Sequence, residues 1–302
     1  MEASYFFNLQ VSKLDLKVYF CTTFSVMDKK WFFLLIVSLF LLSCSDFNKV
    51  VKSTDYEYKY KKGMEYYQQG EYNRANTLFQ DLVYVYRGTS RGDELYYFYA
   101  KSLFEQKDFI LAGHYFKNII DQYPRSKYAE EAQFMFGYCF YSDSPNPKLD
   151  QEVSQKAIDA FRLFINVYPY SDKVQEANIL IDELNEKVAQ KSYINAKLYY
   201  DMGYYKSAVI VLNNTLSDYP DSKNREETKY LLFKSKYLLA INSVDDKKRD
   251  RLLEARDEFF NFTDEFEVSK YSREVNRDFK QISQLLGFDV NSEESSMIFF
   301  NK

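Results

Sequence analysis

Four short segments with the pattern aromatic-Pro-x-Ser recur along the chain, and they constrain its fold more than any other feature. The Pro position of these turn motifs recurs after 45, 51 and 47 residues. Eight residues after each Pro position comes a small or β-branched residue. A motif repeated at this period predicts stacked units of supersecondary structure. The motifs are Tyr123–Ser126, Tyr168–Ser171, Tyr219–Ser222 and Phe266–Ser269, which has Glu267 in place of Pro, and the residues that follow are Ala132, Ala177, Thr228 and Val275.

The spacing of apolar residues predicts a chain that is nearly all helix. From Asp55 to Leu286 these residues lie three and four apart, and no segment alternates like a strand. Small and large residues recur as in tetratricopeptide repeats, where small residues let two helices approach and large ones fill the groove. We therefore predict an all-α fold, a right-handed superhelix of about five tetratricopeptide-like helical hairpins. The matching residues are Gly63, Tyr66, Gly70, Ala75 and Phe79; Ala100, Leu103, Ala112 and Phe116; Gly137, Phe140, Ala157 and Phe161; Ala196, Tyr199, Gly203 and Ala208; and Ala255, Phe259 and Phe262.

The hairpins divide into two groups. Residues 55–173 hold repeats 1–3, and the third repeat contains a loop, Ser142–Glu152, with two Pro residues. Residues 174–286 hold repeats 4–5 and begin with Val174–Tyr200, which has no Gly or Pro and predicts one long helix. The polar residues 287–302 are expected to form a disordered tail.

The amino terminus has the features of a lipoprotein signal peptide. The charged segment Asp28–Lys30 precedes twelve apolar residues, Trp31–Leu42, which are too few to span a bilayer as a helix. Ser43 then precedes Cys44, the pattern at which a thiol receives a diacylglycerol before cleavage. The alternatives are an ordinary signal peptide with an accidental Cys, or a signal-anchor helix. We expect residues 27–43 to be the signal peptide and residues 44–54 a lipidated tether.

Residues 1–26 do not fit in front of a charged signal-peptide start. We therefore expect Met27 to be the true initiator and residues 1–26 to be an over-called start. Ser45, a non-acidic residue after Cys44, favours an outer membrane destination.

Composition argues against several functions. The chain has 40 Lys and Arg against 44 Asp and Glu, so it lacks the basic surplus that nucleic-acid binding needs. His114 has no second His or Cys nearby to complete a metal site, and Cys139 is expected to be a buried, inert thiol. Neither a catalytic group of residues nor a phosphate-binding loop is present. We predict a non-enzymatic protein with no cofactor except the covalent lipid on Cys44.

A binding groove is the better candidate for a functional site, because the chain holds 29 Tyr and 27 Phe. In stacked hairpins the first helices line the concave side, and there we expect a band of aromatic residues that suits an extended aromatic and apolar segment. The alternative is that these residues only pack helix against helix. The predicted groove residues are Tyr60, Met64, Tyr67, Tyr97, Lys101, Phe104, Phe134, Tyr138 and Tyr141.

From Cys44 to about Gly287 the chain resembles the BamD family of outer membrane assembly lipoproteins, in its Bacteroidetes form. The loop insertion and the long helix recur in their places. The segments that carry the resemblance are Leu149–Gln151, Lys156–Phe161, Phe164–Asn166, Glu176–Asn178, Ile181–Leu184 and Asn195–Tyr200.

The resemblance implies a lipid-anchored protein on the periplasmic face of the outer membrane. It implies three kinds of partner: the periplasmic domains of a BamA-like barrel protein, unfolded outer-membrane proteins and other assembly lipoproteins. It places substrate contact toward the amino-terminal repeats and the contact with the barrel toward the carboxy-terminal ones. The fifth repeat is too degenerate to align residue by residue, so the candidates for the latter contact stay a pool: Arg225, Arg249, Arg251 and Arg256.

Two other classes of protein combine a lipid anchor with such repeats. SusD-like glycan-binding lipoproteins are much longer, and the single Trp of this chain, Trp31, lies in the predicted signal peptide. A periplasmic scaffold for cell-wall enzymes is compatible with the repeats alone.

Overall fold

The computed structural model describes residues 46–288. The predicted signal peptide, Cys44 and all but two residues of the predicted tail lie outside this range. The chain divides into two compact units, residues 1–106 and 107–302. Over the described range both units consist of helices and connecting turns, without strands. None of the helices in residues 46–288 has the length and apolar character needed to cross a bilayer.

The first unit begins with a short helix, residues 46–52, which we call the leading helix. Three longer helices follow it. Helices α1 and α2 form an antiparallel hairpin, and α3 packs against both of them. These helices are α1 (Tyr56–Gln68), α2 (Tyr72–Tyr86) and α3 (Gly92–Glu105).

The second unit contains eight described helices, and each packs against the next along the chain. Contacts also join α5 to α7, α7 to α9 and α9 to α11, so alternate helices lie side by side as in tetratricopeptide arrays. The predicted all-α class and its tetratricopeptide-like hairpins are confirmed. The helices are α4 (Phe109–Gln122), α5 (Ala129–Asp143), α6 (Glu152–Val167), α7 (Val174–Asp201), α8 (Tyr205–Asp218), α9 (Arg225–Ile241), α10 (Asp245–Glu265) and α11 (Ser272–Leu286).

The turn motifs end one helix and begin the next. In the first, the Tyr123 N–H donates to the Ile119 carbonyl at 2.8 Å, and the Ser126 N–H donates back to the Tyr123 carbonyl at 2.9 Å. The Ser126 hydroxyl accepts from the Tyr128 N–H at 3.1 Å, which satisfies a donor before α5 begins. The residues eight positions after each Pro position are at most 2% exposed, as their size predicts: Ala132, Ala177, Thr228 and Val275.

Glycine permits close helix packing at two equivalent places, Gly63 in α1 and Gly137 in α5. A β-carbon at Gly137 would lie 2.9 Å from the ring of Phe161, and one at Gly63 would lie 2.7 Å from the ring of Phe79. Both rings are fully buried and have little room to move.

We expect Gly137→Ala to lower the free energy of unfolding by about 1–2 kcal/mol. Overpacking against Phe161 costs about 1–3 kcal/mol, and the better helix propensity of Ala offsets up to about 1 kcal/mol of that. Urea denaturation followed by circular dichroism measures the difference. Gly113→Ala in α4 is the matched control, because its β-carbon would meet Cys139 at an ordinary 3.5 Å. Equal losses in the two variants would contradict the packing argument.

The long helix α7 runs without a break from Val174 to Asp201, one residue beyond the predicted end. It also holds the loop inserted in the third hairpin. The Lys187 ammonium donates to the Ser144 hydroxyl at 2.8 Å, and the Lys191 ammonium donates to the Lys148 carbonyl at 2.7 Å. Inside the loop, the buried Gln151 amide donates to the Asn146 carbonyl at 2.9 Å. The loop is therefore fixed by polar contacts.

The last described residues form a helix cap. Gly287 has φ +79°, and its N–H donates to the Gln284 carbonyl at 3.2 Å. The Phe288 N–H donates to the Ser283 carbonyl at 3.0 Å, which completes a Schellman motif. The Phe288 ring lies 5.3 Å from the guanidinium of Arg256. Gly287 and Phe288, which we assigned to a disordered tail, are thus ordered by the cap of α11.

Candidate functional site

The predicted groove residues of the first unit lie on α1 and α3. Tyr60, Met64 and Tyr67 follow one another at helical spacing on α1, and all three are half-buried. Tyr67 makes edge contacts with Tyr72 at 5.7 Å and with Phe98 at 5.0 Å between ring centroids. These residues therefore form a partly open aromatic surface, stabilised by ring contacts within the unit.

On α3 the predicted residues separate by burial. Lys101 and Phe104 are half-buried, whereas Tyr97 is only 8% exposed. The Tyr97 ring packs on Phe98 at 5.3 Å, and the Lys101 ammonium lies 6.0 Å from its centroid. Tyr97 thus belongs to the packed interior and not to an open groove, because neighbouring side chains cover its ring.

The predicted residues of the second unit form a row of aromatic rings along α5. Phe134 stacks on Tyr138 with centroids 5.9 Å apart, and Tyr138 lies 5.5 Å from Tyr141. Phe134 is 3% exposed, because Phe161 and Phe164 of α6 each lie 5.5 Å away. It is therefore an interior residue, whereas Tyr138 and Tyr141 are half-buried.

Side chains of α7 contact Tyr141, the last ring of this row. The Tyr141 hydroxyl donates to the Glu183 carboxylate at 2.6 Å, and this hydrogen bond together with burial raises the pKa of Tyr141 to about 12. The Lys187 ammonium lies 5.9 Å from the Tyr141 ring centroid, and burial lowers the pKa of Lys187. The site thus presents a phenol hydrogen-bonded to the Glu183 side chain, with the Lys187 side chain beside its ring. This arrangement suits apolar and aromatic groups with a few polar contacts.

Three of the four candidate Arg residues of the carboxy-terminal repeats have partners within the unit. Arg225 bonds the Glu265 carboxylate at 2.5 Å, and Arg251 bonds the Ser243 hydroxyl at 2.5 Å. Arg256 lies 3.5 Å from Asp257, and Arg249 is exposed. The paired guanidiniums help to hold the fold, so a role in binding is not needed to explain them.

Sequence reasoning missed several exposed apolar residues because helical periodicity marks them as core. In the first unit Tyr84 is 81% exposed, near the end of α2, and Tyr56 and Tyr58 are also exposed at the start of α1. In the second unit the last turn of α7 exposes Leu198 and Tyr199, and the connection to α8 exposes Met202 and Tyr204. The number of apolar residues in the sequence could have revealed them, since each of these stretches holds more apolar residues than one helix face can bury.

Cys139 is buried, whereas His114 lies on the surface. His114 is exposed, and its ring contacts Asn118 at 3.1 Å. Cys139 is 2% exposed, and burial raises the pKa of its thiol to about 12. Among residues 46–288 no three His, Cys, Asp or Glu side chains converge as metal ligands would.

We expect the Cys139 thiol to be inert in the folded protein, because thiol reagents attack the thiolate and need access to it. A chain that begins at Ser45 has Cys139 as its only thiol. At pH 8 a colorimetric disulfide reagent should react with less than about a tenth of this thiol before urea is added, and with all of it afterwards. Rapid reaction without urea would contradict the buried position.

Comparisons with known proteins identify the family. Residues 53–252, which are 200 of the 302 residues, match the model of the YfiO family, described as outer membrane lipoprotein. A protein of Aquifex aeolicus (strain VF5), named as a putative outer membrane protein assembly factor BamD, is 27% identical over 195 residues, 64% of this chain and 63% of that protein. The outer membrane protein assembly factor BamD of Caulobacter vibrioides (strain ATCC 19089 / CIP 103742 / CB 15) is 21% identical over 188 residues, 62% of this chain and 61% of that protein.

Two solved structures of tetratricopeptide proteins are similar at lower levels. The TPR2AB domain of yeast Sti1, in its pHSP90 complex, has a TM-score of 0.34 and 12% identity, over 76% of this chain and 98% of that one. A thermophilic tetratricopeptide protein of Thermus thermophilus has a TM-score of 0.31 and 14% identity, over 75% of this chain and 98% of that one. The assignment therefore rests on the sequence matches, which confirm the resemblance to BamD proteins: the chain belongs to the YfiO family of outer membrane lipoproteins.

Proposed function

We propose that this chain is a non-enzymatic assembly factor, anchored to the outer membrane by lipid on Cys44. It binds the periplasmic domains of a BamA-like barrel protein and unfolded outer-membrane proteins, and it promotes the folding and insertion of the latter. The observation that carries the proposal is the YfiO family match over residues 53–252, together with relatives named as outer membrane protein assembly factors. The matches cover less than two thirds of each relative's length, so these partners belong to the proposal.

The half-buried aromatic residues supply the surface that such a role requires. Tyr60, Met64 and Tyr67 in the first unit, and Tyr138 and Tyr141 in the second, expose part of an apolar ring or chain. Unfolded barrel proteins carry exposed apolar and aromatic segments, which gain by burying their rings against such residues. Tyr138 is held in place by stacking on Phe134, and Tyr141 by its ring contact with Tyr138 and its hydrogen bond to Glu183, so less conformational entropy is lost on binding.

Purification of the acylated chain from outer membranes tests the proposed partners. We expect a 16-stranded barrel protein with periplasmic domains to copurify, and depletion of the chain to lower many barrel proteins together. Loss of one uptake system alone would instead indicate a SusD-like glycan-binding protein. Copurification of cell-wall enzymes without a barrel would indicate a scaffold.

The binding surface is tested with a peptide that ends in an aromatic residue. We expect Tyr138→Ala to weaken its binding by about tenfold, which corresponds to about 1.4 kcal/mol. The matched control is Tyr170→Ala, because Tyr170 lies in the same unit but its side chain is fully exposed. Fluorescence anisotropy measures both affinities, and circular dichroism verifies that both variants are folded. Equal affinities of the two folded variants would exclude Tyr138 from the binding surface.

A further inference from the structure

The leading helix lies inside the segment that the sequence predicts to be a lipidated tether, yet it is packed against the first unit. The Phe47 ring meets the Tyr66 ring edge-on at 5.6 Å, and the Arg74 guanidinium lies 5.6 Å from Phe47 and 5.5 Å from Tyr66. Val50 is 3% exposed. Because a flexible linker would not bury these groups, most of the predicted tether is folded.

The connection from the leading helix to α1 is held by hydrogen bonds. The Ser53 N–H donates to the Val50 carbonyl at 3.1 Å, and the Ser53 hydroxyl accepts from the Asp55 N–H at 3.1 Å. Asp55 then caps α1 by accepting from the Tyr58 N–H at 3.0 Å. Consecutive hydrogen bonds thus join the leading helix to the hairpin that follows it.

The contacts of Phe47 identify which end of the hairpin carries the start of the leading helix. Tyr66 lies in the last turn of α1, and Arg74 lies in the first turn of α2. Phe47 is therefore at the end of the unit where α1 turns into α2. Tyr84 lies in the last turn of α2, about 15 Å beyond Arg74 along the helix axis, at the opposite end.

Only Ser45 separates Cys44 from the first described residue of the leading helix, Asp46. Two residues of extended chain reach about 7 Å. A lipid on Cys44 is therefore attached no further than this from the start of the leading helix, at the end of the hairpin where α1 turns into α2.

We propose that the docked leading helix holds the turn between α1 and α2 against the phospholipid headgroups, so that the lipid anchor orients the first unit as well as retaining it. The inference rests on the proposed function, because it needs the lipid on Cys44. The other end of the hairpin, with Tyr56, Tyr58 and Tyr84 exposed, then faces away from the bilayer and toward protein partners.

Two ion pairs and two uncharged polar side chains near the turn are compatible with a headgroup surface. Arg74 pairs with Glu71 at 2.6 Å, and Lys49 pairs with Asp46 at 3.0 Å, so neither pair brings a net charge to the membrane. Gln69 and Asn73 are exposed and uncharged. Such groups hydrogen-bond with headgroups without the cost of desolvating an isolated charge.

Fluorescence quenching tests the orientation in the acylated full chain on vesicles of phosphatidylethanolamine and phosphatidylglycerol that contain a headgroup spin label. One probe is attached at Asn73→Cys, beside the turn, and the other at Tyr84→Cys, at the opposite end. We expect at least about threefold stronger quenching at position 73, because quenching by a spin label falls steeply with distance and the two positions lie about 16 Å apart along α2. Equal quenching at the two positions in the acylated chain overturns the inference.

Two variants test whether the docked leading helix causes the orientation of the first unit. About eight Gly and Ser residues inserted after Ser45 add about 15 Å of flexible reach and leave every described contact in place. We define the quenching ratio as the quenching at position 73 divided by that at position 84. We expect the insertion to reduce this ratio toward one. Phe47→Ala removes the ring contacts with Tyr66 and Arg74 and should also reduce the quenching ratio. The control Lys52→Ala, an exposed position on the same helix, should leave the ratio unchanged. An unchanged ratio in the insertion variant overturns the inference.

Mass spectrometry of the purified chain separates failure of the orientation from failure of the proposed function. If Cys44 carries no lipid, the anchor is absent and the inference falls with it. If Cys44 is acylated and the quenching ratio is one, the orientation alone is wrong. Copurification with a barrel protein reports on assembly independently of both results.

Discussion

Lys234→Ala is expected to lower the free energy of unfolding by about 3 kcal/mol. The Lys234 side chain is only 8% exposed, and its ammonium bonds Asp278, which is 3% exposed, and Glu274 at 2.8 Å. Removing one partner of a buried ion pair costs about 3–5 kcal/mol, because the other charge stays buried without compensation. Arg277 also pairs with Asp278 at 3.0 Å, so we expect a loss near the lower limit.

Urea denaturation at pH 7, followed by far-UV circular dichroism, measures this loss. The matched control is Lys117→Ala, because Lys117 pairs with Asp121 at 2.6 Å but both side chains are about half exposed. Surface pairs of this kind contribute about 0.5 kcal/mol or less. If the two variants lose the same free energy, the buried pair does not contribute as the geometry implies.

The stability that the bonds of Lys234 contribute depends on pH, because two pKa values are shifted. Burial alone would lower the pKa of Lys234, but its bonds to Asp278 and Glu274 outweigh burial and raise it. Its contribution is therefore complete below about pH 10.4 and is lost as the pH rises above that value. The bond from Lys234 lowers the pKa of Glu274, so that contribution is present above about pH 4.3 and is lost as the pH falls. Between about pH 5 and pH 3, Lys234→Ala should therefore lose less stability than the natural chain, as urea denaturation at each pH would show.

Val188→Pro is expected to lower the free energy of unfolding by about 3 kcal/mol or more. Val188 lies near the middle of α7, which packs against α5, α6, α8 and α9. Proline removes the N–H of residue 188, and its ring clashes with the carbonyl of Leu184, a fully buried residue one turn earlier. Because four helices contact α7, a kink there disturbs packing on both sides.

Val188→Ala is the control, because it shortens the same half-buried side chain without interrupting the helix. We expect it to cost about 1 kcal/mol. Thermal and urea unfolding of the two variants give the comparison. A difference between Pro and Ala of less than about 1 kcal/mol would mean that α7 is not a continuous helix at Val188.

The repeated pattern of the fold was predictable because short-range interactions produce it. Each turn motif forms its hydrogen bonds between residues close in sequence, as Tyr123 and Ser126 show, so the sequence alone reveals where helices end and begin. The buried Ala132 follows from the same periodicity. The continuity of α7 was predictable for the same reason, since no Gly or Pro interrupts it.

The candidate site was predictable in part. Helical spacing placed Tyr138 and Tyr141 on one face of α5 together with Phe134. It did not distinguish Phe134, which α6 covers, from Tyr138 and Tyr141, which stay half-buried. Which ring is covered depends on the neighbouring helix, and its position is set by packing between residues distant in sequence.

The class of fold and the family could be read from the sequence alone, because both are encoded in local spacing and local hydrogen bonds. Two features became visible only in the folded chain: Lys234 is buried against Asp278, 44 residues away, and Phe47 docks the predicted tether onto Tyr66. A charged residue, or one in a short polar segment, is expected at the surface unless a partner from elsewhere in the chain compensates for its burial. Such partners are brought together by folding, and nothing in the local pattern specifies them.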